Sequence, residues 1–411
     1  MFTRNKHIRR HDVHFYAYYV VYTFMDIYEE LGVKRVINAT YPLTRLGGSV
    51  LSKEVIDAMN EANNTWVTLW ELEEKAGNMI ANLTGAEAAH VTSGTFSALV
   101  LSAAACIAGK DPEKMRKLPD TTGMKNEIII QRCLRSMYDR SMTVPGGKLV
   151  EVGDALWGCL PEQIEDVINE KTAAIHYLAY PIPGISVPIE EVIKIGKKHG
   201  VPIIVDASGQ TYPPENLKKI VAMGADLVCY GGKYVLGPQS TGFVIGRRHL
   251  IEAIALHNFV GFESGPLNQP NYYQSIGRGF KLDRQEIVGL VVALKRWMDM
   301  DYHKSRIRNA WARANYLKDA LQKIPAITIT NEPEKGEAGL HMVGIRLTLE
   351  KKTGAETAKL VKELETSDPA IWVRYPWEPR APRNSFSINT LFLGDGDEKI
   401  VATKLVEKLS V

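Results

Sequence analysis

Residues 228–242, VCYGGKYVLGPQSTG, carry an apolar run into two glycines and then one lysine, Lys233. A lysine amine at the end of a buried strand is a nucleophile suited to a carbonyl. Upstream, IIVDASGQTYPPENL ends a second apolar run on Asp206. A third run, Ala88–Val91, passes through Thr92-Ser93-Gly94-Thr95 into the helical FSALVLSAAACIAG. A polar, glycine-containing turn at a helix N-terminus is a phosphate cradle. In an open α/β sheet all three features fall at the carboxyl ends of strands, where ligands bind. A lysine for a Schiff base, a carboxylate that keeps a pyridine nitrogen protonated and a phosphate cradle are what pyridoxal phosphate needs. Each has an ordinary use on its own. A strand-end Asp caps helices, a lysine after two glycines suits a solvated loop, and Ser, Gly and Thr suit any turn. Their common order and edge give the combination its meaning. A dinucleotide site is disfavoured, because neither GxGxxG nor GxxxxGK[ST] is present.

The elements that must hold these groups follow from hydrophobic pattern. Strands are expected at Ala88–Val91, Glu127–Gln131, Lys148–Val152, Ala173–Leu178, Val201–Val205, Asp226–Tyr230 and Gly242–Gly246. Runs such as IIIQ and PIIVD are unbroken, as in strands buried on both faces. Helical segments lie between them; IEEVIKIGKKHG follows Pro188 and stops on Gly200. This alternation predicts an α/β, doubly wound, mostly parallel sheet. Past residue 282 two long helical patterns, LDRQEIVGLVVALKRWMDMD and SRIRNAWARANYLKDALQKI, lead into shorter elements. These are strands at Ala326–Thr330, His341–Leu347, Ile371–Tyr375 and Ser385–Asn389, with helices at Ala355–Glu365 and Glu398–Leu409. The expected division is an N-terminal extension and helix at 1–35, a large domain at 36–295, and a connecting helix with a small α+β domain at 296–411.

The composition suits a two-domain enzyme. The chain has 411 residues, 45% hydrophobic and 24% charged, with a net charge of +3. No long basic stripe demands nucleic acid. The four cysteines, Cys106, Cys133, Cys159 and Cys229, show no CxxC spacing. That speaks against a disulfide framework and a zinc site and for a reducing compartment, here the cytoplasm. Residues 1–25 run from MFTRNKHIRRHDVH into FYAYYVVYTFM. The apolar part is short, tyrosine-rich and without a small-residue cleavage site, so neither export nor membrane insertion is expected. The segment reads as an extension, or as residues upstream of a start at Met25.

VDASGQTYPPENL, GADLVCYGGKYVLGPQSTGFVIGR and IGRGFKLDRQEIVGL resemble the pyridoxal-phosphate family that includes bacterial selenocysteine synthase and D-glucosaminate-6-phosphate ammonia-lyase. INATYPLTRLGG, ELEEKAGNMIANLTGAEAAHVTSGT, LPDTTGMKNEIIIQR and GGKLVEVGD extend the resemblance over about residues 33–295. It implies the fold-type I, aminotransferase-like architecture. It also implies Lys233 as the Schiff-base lysine and Asp206 as the partner of the pyridine nitrogen. Ser93, Gly94 and Thr95 match the phosphate turn. Ser208, Tyr230, Gly232, Gln239 and Thr241 stand where cofactor contacts are expected. Gln239-Ser240-Thr241 match a segment that often approaches the neighbouring subunit's cofactor. Asn38, Thr44, Arg45, Arg278 and Lys281 match substrate-facing positions.

Two departures bear on these roles. Tyr230 replaces the Ser of SGGK, and its phenol is expected either to take over the hydroxyl's contact or to be buried. Arg132-Cys133-Leu134-Arg135 follows IIIQ where relatives tend to carry a His, which leaves the ring-stacking group open. The expected chemistry is Cα deprotonation and β-elimination on a small amino acid or amino sugar acid. β-Replacement on a seryl-tRNA is the alternative, and a silent cofactor-binding regulator or scaffold is a third reading. A homodimer or larger homo-oligomer is expected.

Overall fold

The computed structural model describes residues 27–258, 275–332, 342–376 and 382–410. The basic and aromatic segment of residues 1–25 lies outside these, as does His341 of an expected strand. The strands are β1 (Val36–Ala39), β2 (Ala88–Thr92), β3 (Glu127–Gln131), β4 (Lys148–Val152), β5 (Thr172–Leu178), β6 (Ile203–Asp206), β7 (Leu227–Gly231), β8 (Gly242–Gly246), β9 (Ile327–Glu332), β10 (Gly344–Leu349), β11 (Ala370–Val373) and β12 (Ser385–Asn389).

Seven of these form the central sheet in the order β2-β8-β7-β6-β5-β3-β4. Neighbours from β7 through β4 run parallel. β8 is antiparallel to both β7 and β2, so the sheet is mostly parallel with one reversed strand. The reversal matters for function. β8 begins, at Gly242, on the rim where β2 and β7 end, pairing there with Thr92 and Gly231. The segment after Lys233 is thereby returned to the same rim.

Each face of the sheet is covered. The helix Gly94–Ala108 is buried nearly all round and packs with Ile204, Leu227, Cys229 and Val244 on one side. The amphipathic helix Ile189–His199 turns Val192, Ile193 and Ile195 toward the other side, with Val205, Val228, Tyr230 and Phe243. It ends on Gly200 in the left-handed region, φ 65°, as its sequence indicates. At 3.6 residues per turn, a helix with one apolar stripe can bury only that stripe, whereas the alanine-rich helix Gly94–Ala108 can be engulfed.

Helices Arg284–Trp297 and Met300–Leu321 lead to an antiparallel sheet ordered β12-β10-β9. Around it Leu317, Leu321, Ile345, Leu347, Leu364, Phe386 and Leu405 form a separate core. The expected boundary at residue 36 falls at the start of β1. β1 pairs in parallel with β11, with Asn38 opposite Trp372, and Ile37 and Ala39 belong to the C-terminal core. A four-residue strand has no partner of its own in sequence, and its backbone groups must find one. The small domain supplies it.

Candidate active site

Lys233 sits in a 3-10 turn, Gly232–Val235, directly after β7. Backbone bonds fix this turn from three sides. Gly231 N–H donates to Ser208 O at 3.1 Å, Gly232 N–H to Thr241 O at 2.8 Å, and Gly237 N–H to Gly232 O at 2.9 Å. Both glycines are required by close approach. A Cβ at Gly232 would collide with Thr241 Oγ1, and one at Gly231 would lie 3.0 Å from Thr95 Oγ1. The Lys233 amine donates to Thr44 Oγ1 at 2.7 Å. Burial holds it below the ordinary lysine range, which enlarges the neutral, nucleophilic fraction.

Asp206 ends β6, one strand from Lys233, and is only 4% exposed. Burial raises its carboxyl, against which His176 and the Ser208 N–H favour the ionised form. The Ser208 N–H donates to Asp206 Oδ1 at 3.0 Å. A carboxylate has room for about four hydrogen bonds, so capacity remains for a pyridinium N–H.

The Ser93-Gly94-Thr95 turn opens the helix Gly94–Ala108. Gly94 adopts φ +82°, and the Ser93 side chain makes no cap bond. Its hydroxyl lies 3.3 Å from Ser97 Oγ, while Ser97 Oγ donates to Gly94 O at 2.9 Å. The leading N–H groups of the helix are thus not capped by Ser93, as an anion site requires. A Cβ at Gly242 would stand 2.6 Å from Gly94 C, so the start of β8 presses on this turn. The phosphate turn, the lysine turn and the start of β8 form one packed unit.

The structure assigns other work to several expected contacts. Tyr230 is fully buried, stacked on Phe243 at 5.2 Å, with its hydroxyl donating to Asn216 O at 3.3 Å. Residues alternate faces along a strand. Tyr230 therefore points into the core shared with helix Ile189–His199, the buried placement being one of the two expected for its phenol. Thr241 is 1% exposed and its hydroxyl donates to Pro238 O at 2.7 Å, so it shapes the lysine turn. Asn38 Oδ1 accepts from the Thr40 N–H and hydroxyl, and its amide donates to Tyr41 O. It holds the turn that carries Thr44.

Gln239 donates to Thr44 O at 3.3 Å and keeps Oε1 buried without a partner. Ser240 donates to Glu286. The Arg45 guanidinium stacks 4.3 Å from the Trp372 ring of β11. Arg278 and Lys281 are exposed. Arg278 lies in the 3-10 turn Ile276–Phe280, which packs on helices Gly94–Ala108 and Arg248–Asn258.

Three residues of interest escaped the sequence reading. His176 on β5 faces the same side as Asp206 and is 3% exposed; burial lowers its imidazole, and Asp206 and Asp139 oppose that. Tyr180, just past β5, adjoins Asp206 and Tyr234, and burial raises its phenol. Arg374, just past β11, lies 4.9 Å from the Tyr41 ring. His176 carries a local signal, a histidine inside an apolar strand. Arg374 carries none, because its relevance depends on the β1–β11 pairing. In the segment where the ring-stacking group was left open, Arg132 and Arg135 both pair with Glu151, and Leu134 is buried.

Residues 150–366 match the family model described as aminotransferase class-V. The chain belongs to this family. It is 30% identical over 356 residues to a 5'-C-glycyluridine monooxygenase-decarboxylase from a Streptomyces species, which covers 84% of each chain. It is 27% identical to the D-glucosaminate-6-phosphate ammonia lyase of Salmonella typhimurium, over 93% of this chain and 97% of that one. A solved structure of D-glucosaminate-6-phosphate ammonia-lyase superposes with a TM-score of 0.77 at 27% identity, over 94% of this chain and 100% of that one. The chain is therefore a fold-type I, pyridoxal-phosphate-dependent enzyme. The donor set fits the cofactor: a buried carboxylate with spare acceptor capacity, a helix N-terminus without a side-chain cap, and a half-buried amine between them.

Proposed function

We propose that this enzyme is a lyase that removes the Cα proton of a small amino acid or amino sugar acid and expels its β-substituent. Pyridoxal phosphate, when bound, supplies an electron sink for the carbon that loses its proton. Asp206 would hold the pyridine nitrogen, and the N–H groups of the Ser93-Gly94-Thr95 turn the phosphate. Lys233 Nζ would take the Cα proton, its basicity tuned by burial and its position fixed by Thr44. The β-substituent leaves with its bonding pair, and hydrolysis of the resulting unsaturated amine gives a 2-oxo acid and ammonia. Arg45, held on Trp372, and Arg374 beside Tyr41 are placed to meet an anionic substrate group.

The 2.7 Å contact between Lys233 and Thr44 supports this reading best. It joins the lysine turn to the loop that the small domain clasps, so one amine is presented to both cofactor and substrate sides. The test supplies the holoenzyme with amino acids and amino sugar acids, plain and 6-phosphorylated, and follows ammonia, 2-oxo acid and solvent deuterium at Cα. Ammonia with deuterium exchange is expected. Exchange without ammonia would replace elimination by another reaction at Cα. A gel shift with seryl-tRNA tests the replacement reaction, and no exchange with any substrate would favour a silent regulator.

A homodimer in the cytoplasm completes the reading. The cysteines are all free. Trp66 and Trp157 are 89% and 90% exposed, an unusual state for such large apolar groups and one that a second copy would relieve. Arg278 and Lys281, both exposed, would serve the site of that copy. Mixing the inactive variants Lys233→Ala and Arg278→Ala should restore up to about a quarter of the activity under two-fold pairing. No recovery despite subunit exchange would return Arg278 to its own subunit.

A further inference from the structure

A second cavity lies behind the active-site rim. It holds about 380 Å³ and is walled by the segment that follows β5 and by the helix Asn216–Met223. That volume is within the range of pockets that hold small organic ligands, about 300–1,000 Å³. Its lining is mainly apolar, with Ala179, Ile182, Ile220 and Met223 on the walls. Tyr177 also lines it. This tyrosine is 1% exposed; its hydroxyl lies beside that of Ser186 but forms no hydrogen bond of ordinary length.

Ser186, also on the wall, is already engaged. Its hydroxyl accepts from the Ile182 N–H at 2.9 Å and lies 3.2 Å from Ile182 O. A buried donor without a well-placed acceptor is costly and uncommon in folded proteins. Here it stands at the edge of a space large enough for a molecule that carries an acceptor.

The cavity is distinct from the cofactor site. His176 is on the Asp206 side of β5, and side chains alternate along a strand, so Tyr177 points the opposite way, into the core with Tyr230 and Phe243. Yet the two sites share backbone. Ala179, on the cavity wall, donates its N–H to Asp206 O at 2.8 Å. Tyr180, the next residue, adjoins Asp206 and Tyr234. Asn216, also on the wall, accepts the Tyr230 hydroxyl through its carbonyl.

We propose that this cavity is an effector site for a small, mostly apolar molecule bearing one carbonyl or hydroxyl oxygen, which accepts the Tyr177 hydroxyl and acts on the cofactor site through the Ala179–Asp206 bond. An occupant would hold Ala179 and Asn216 in place. Both are tied to the strands that carry Asp206 and the lysine turn, so the effect is transmitted by direct bonds. The ligand would need no charge, since the polar group that it satisfies is neutral.

The test uses the holoenzyme, acetophenone as probe, and ethylbenzene as its counterpart without an acceptor. Binding is followed by ligand-observed NMR and the environment of the cofactor by its fluorescence. Acetophenone should bind about tenfold more tightly than ethylbenzene, as one neutral hydrogen bond implies. Tyr177→Phe should remove that preference while leaving ethylbenzene affinity unchanged, and Met223→Trp should displace both probes. Saturation with acetophenone should shift the cofactor emission in the wild type. The effector site is overturned if neither probe binds, if acetophenone binds equally well to Tyr177→Phe, or if saturation leaves the emission unmoved. Because Tyr177 and Met223 lie outside the catalytic group, these outcomes do not depend on which substrate the enzyme takes.

Discussion

The rim of the central sheet and the loop clasped by the small domain hold their functional groups in different ways. At the rim, Asp206 and Lys233 extend from strands whose backbones are paired on both sides. Moving either group requires breaking a buried ladder or displacing Gly231 and Gly232 from Ser208 and Thr241. On the clasped loop, the exposed side chains of Thr44 and Arg45 each make one contact, to Lys233 and to Trp372, and Gln239 adds a bond to the Thr44 carbonyl. Those contacts are individually weak and partly exposed. The strand-borne end with Asp206 and Lys233 is therefore the more rigidly held, and the loop with Thr44 and Arg45 the more adjustable. This division suits a family in which relatives carry names as different as an ammonia lyase and a monooxygenase-decarboxylase.

The largest expected effect is at the rigid end. Lys233→Ala should abolish the borohydride-reducible link between protein and cofactor and lower activity by several orders of magnitude. Peptide mass spectrometry after reduction checks it; a pyridoxyl group found on another site lysine would reassign the role. Asp206→Asn should keep the fold and part of the cofactor but slow Cα–H exchange about 100- to 1,000-fold, the scale for losing one preorganised electrostatic group. A near-normal exchange rate would place the pyridine contact elsewhere.

Changes at the clasped loop should be milder and should sharpen the contrast. Thr44→Val removes the acceptor for the Lys233 amine, and about a tenfold loss in rate is expected, with cofactor occupancy preserved. The lysine's lowered pKa has a pH signature as well. In apoenzyme, rebinding of cofactor should accelerate as pH rises and level off below the ordinary lysine value of 10.5, since the neutral amine attacks. Levelling at or above that value would contradict burial as the governing influence. Trp372→Ala should raise KM a few-fold, in keeping with about 0.5–1 kcal/mol for an exposed guanidinium–ring contact. A loss of cofactor in that variant would join the two ends that the structure separates.

The smallest effect on chemistry belongs to Tyr230→Phe. It removes one long hydrogen bond to Asn216 O and should cost about 1 kcal/mol in unfolding free energy with cofactor affinity intact. Weakened cofactor binding at unchanged stability would restore Tyr230 to the phosphate site.

Much of the rim was legible in the order of residues. Unbroken apolar runs marked β3 and β6 as buried parallel strands, and the polar residues that ended them, Gln131 and Asp206, fell on one edge because parallel strands end together. The reversed β8 was not legible, since a short strand of the same composition reads alike in either direction. The role of Tyr230 was open for a related reason: a strand-end residue points to the ligand or away from it according to parity and register. Arg278 and Lys281 were read as part of the site from a motif, and both side chains are exposed.

The sequence by itself determined the cofactor chemistry of this protein. A lysine between glycines, an aspartate at a strand end and a Ser-Gly-Thr turn before a helix are local patterns, and the sheet need only be α/β for them to meet. Only the tertiary structure decided where β1 and the loop after it lie. The pairing of Asn38 in β1 with Trp372 in β11 spans most of the chain, and across it Arg45 stacks on Trp372 and Arg374 on Tyr41. Such a contact is set by the burial of two separate cores against each other, for which no local residue pattern is required.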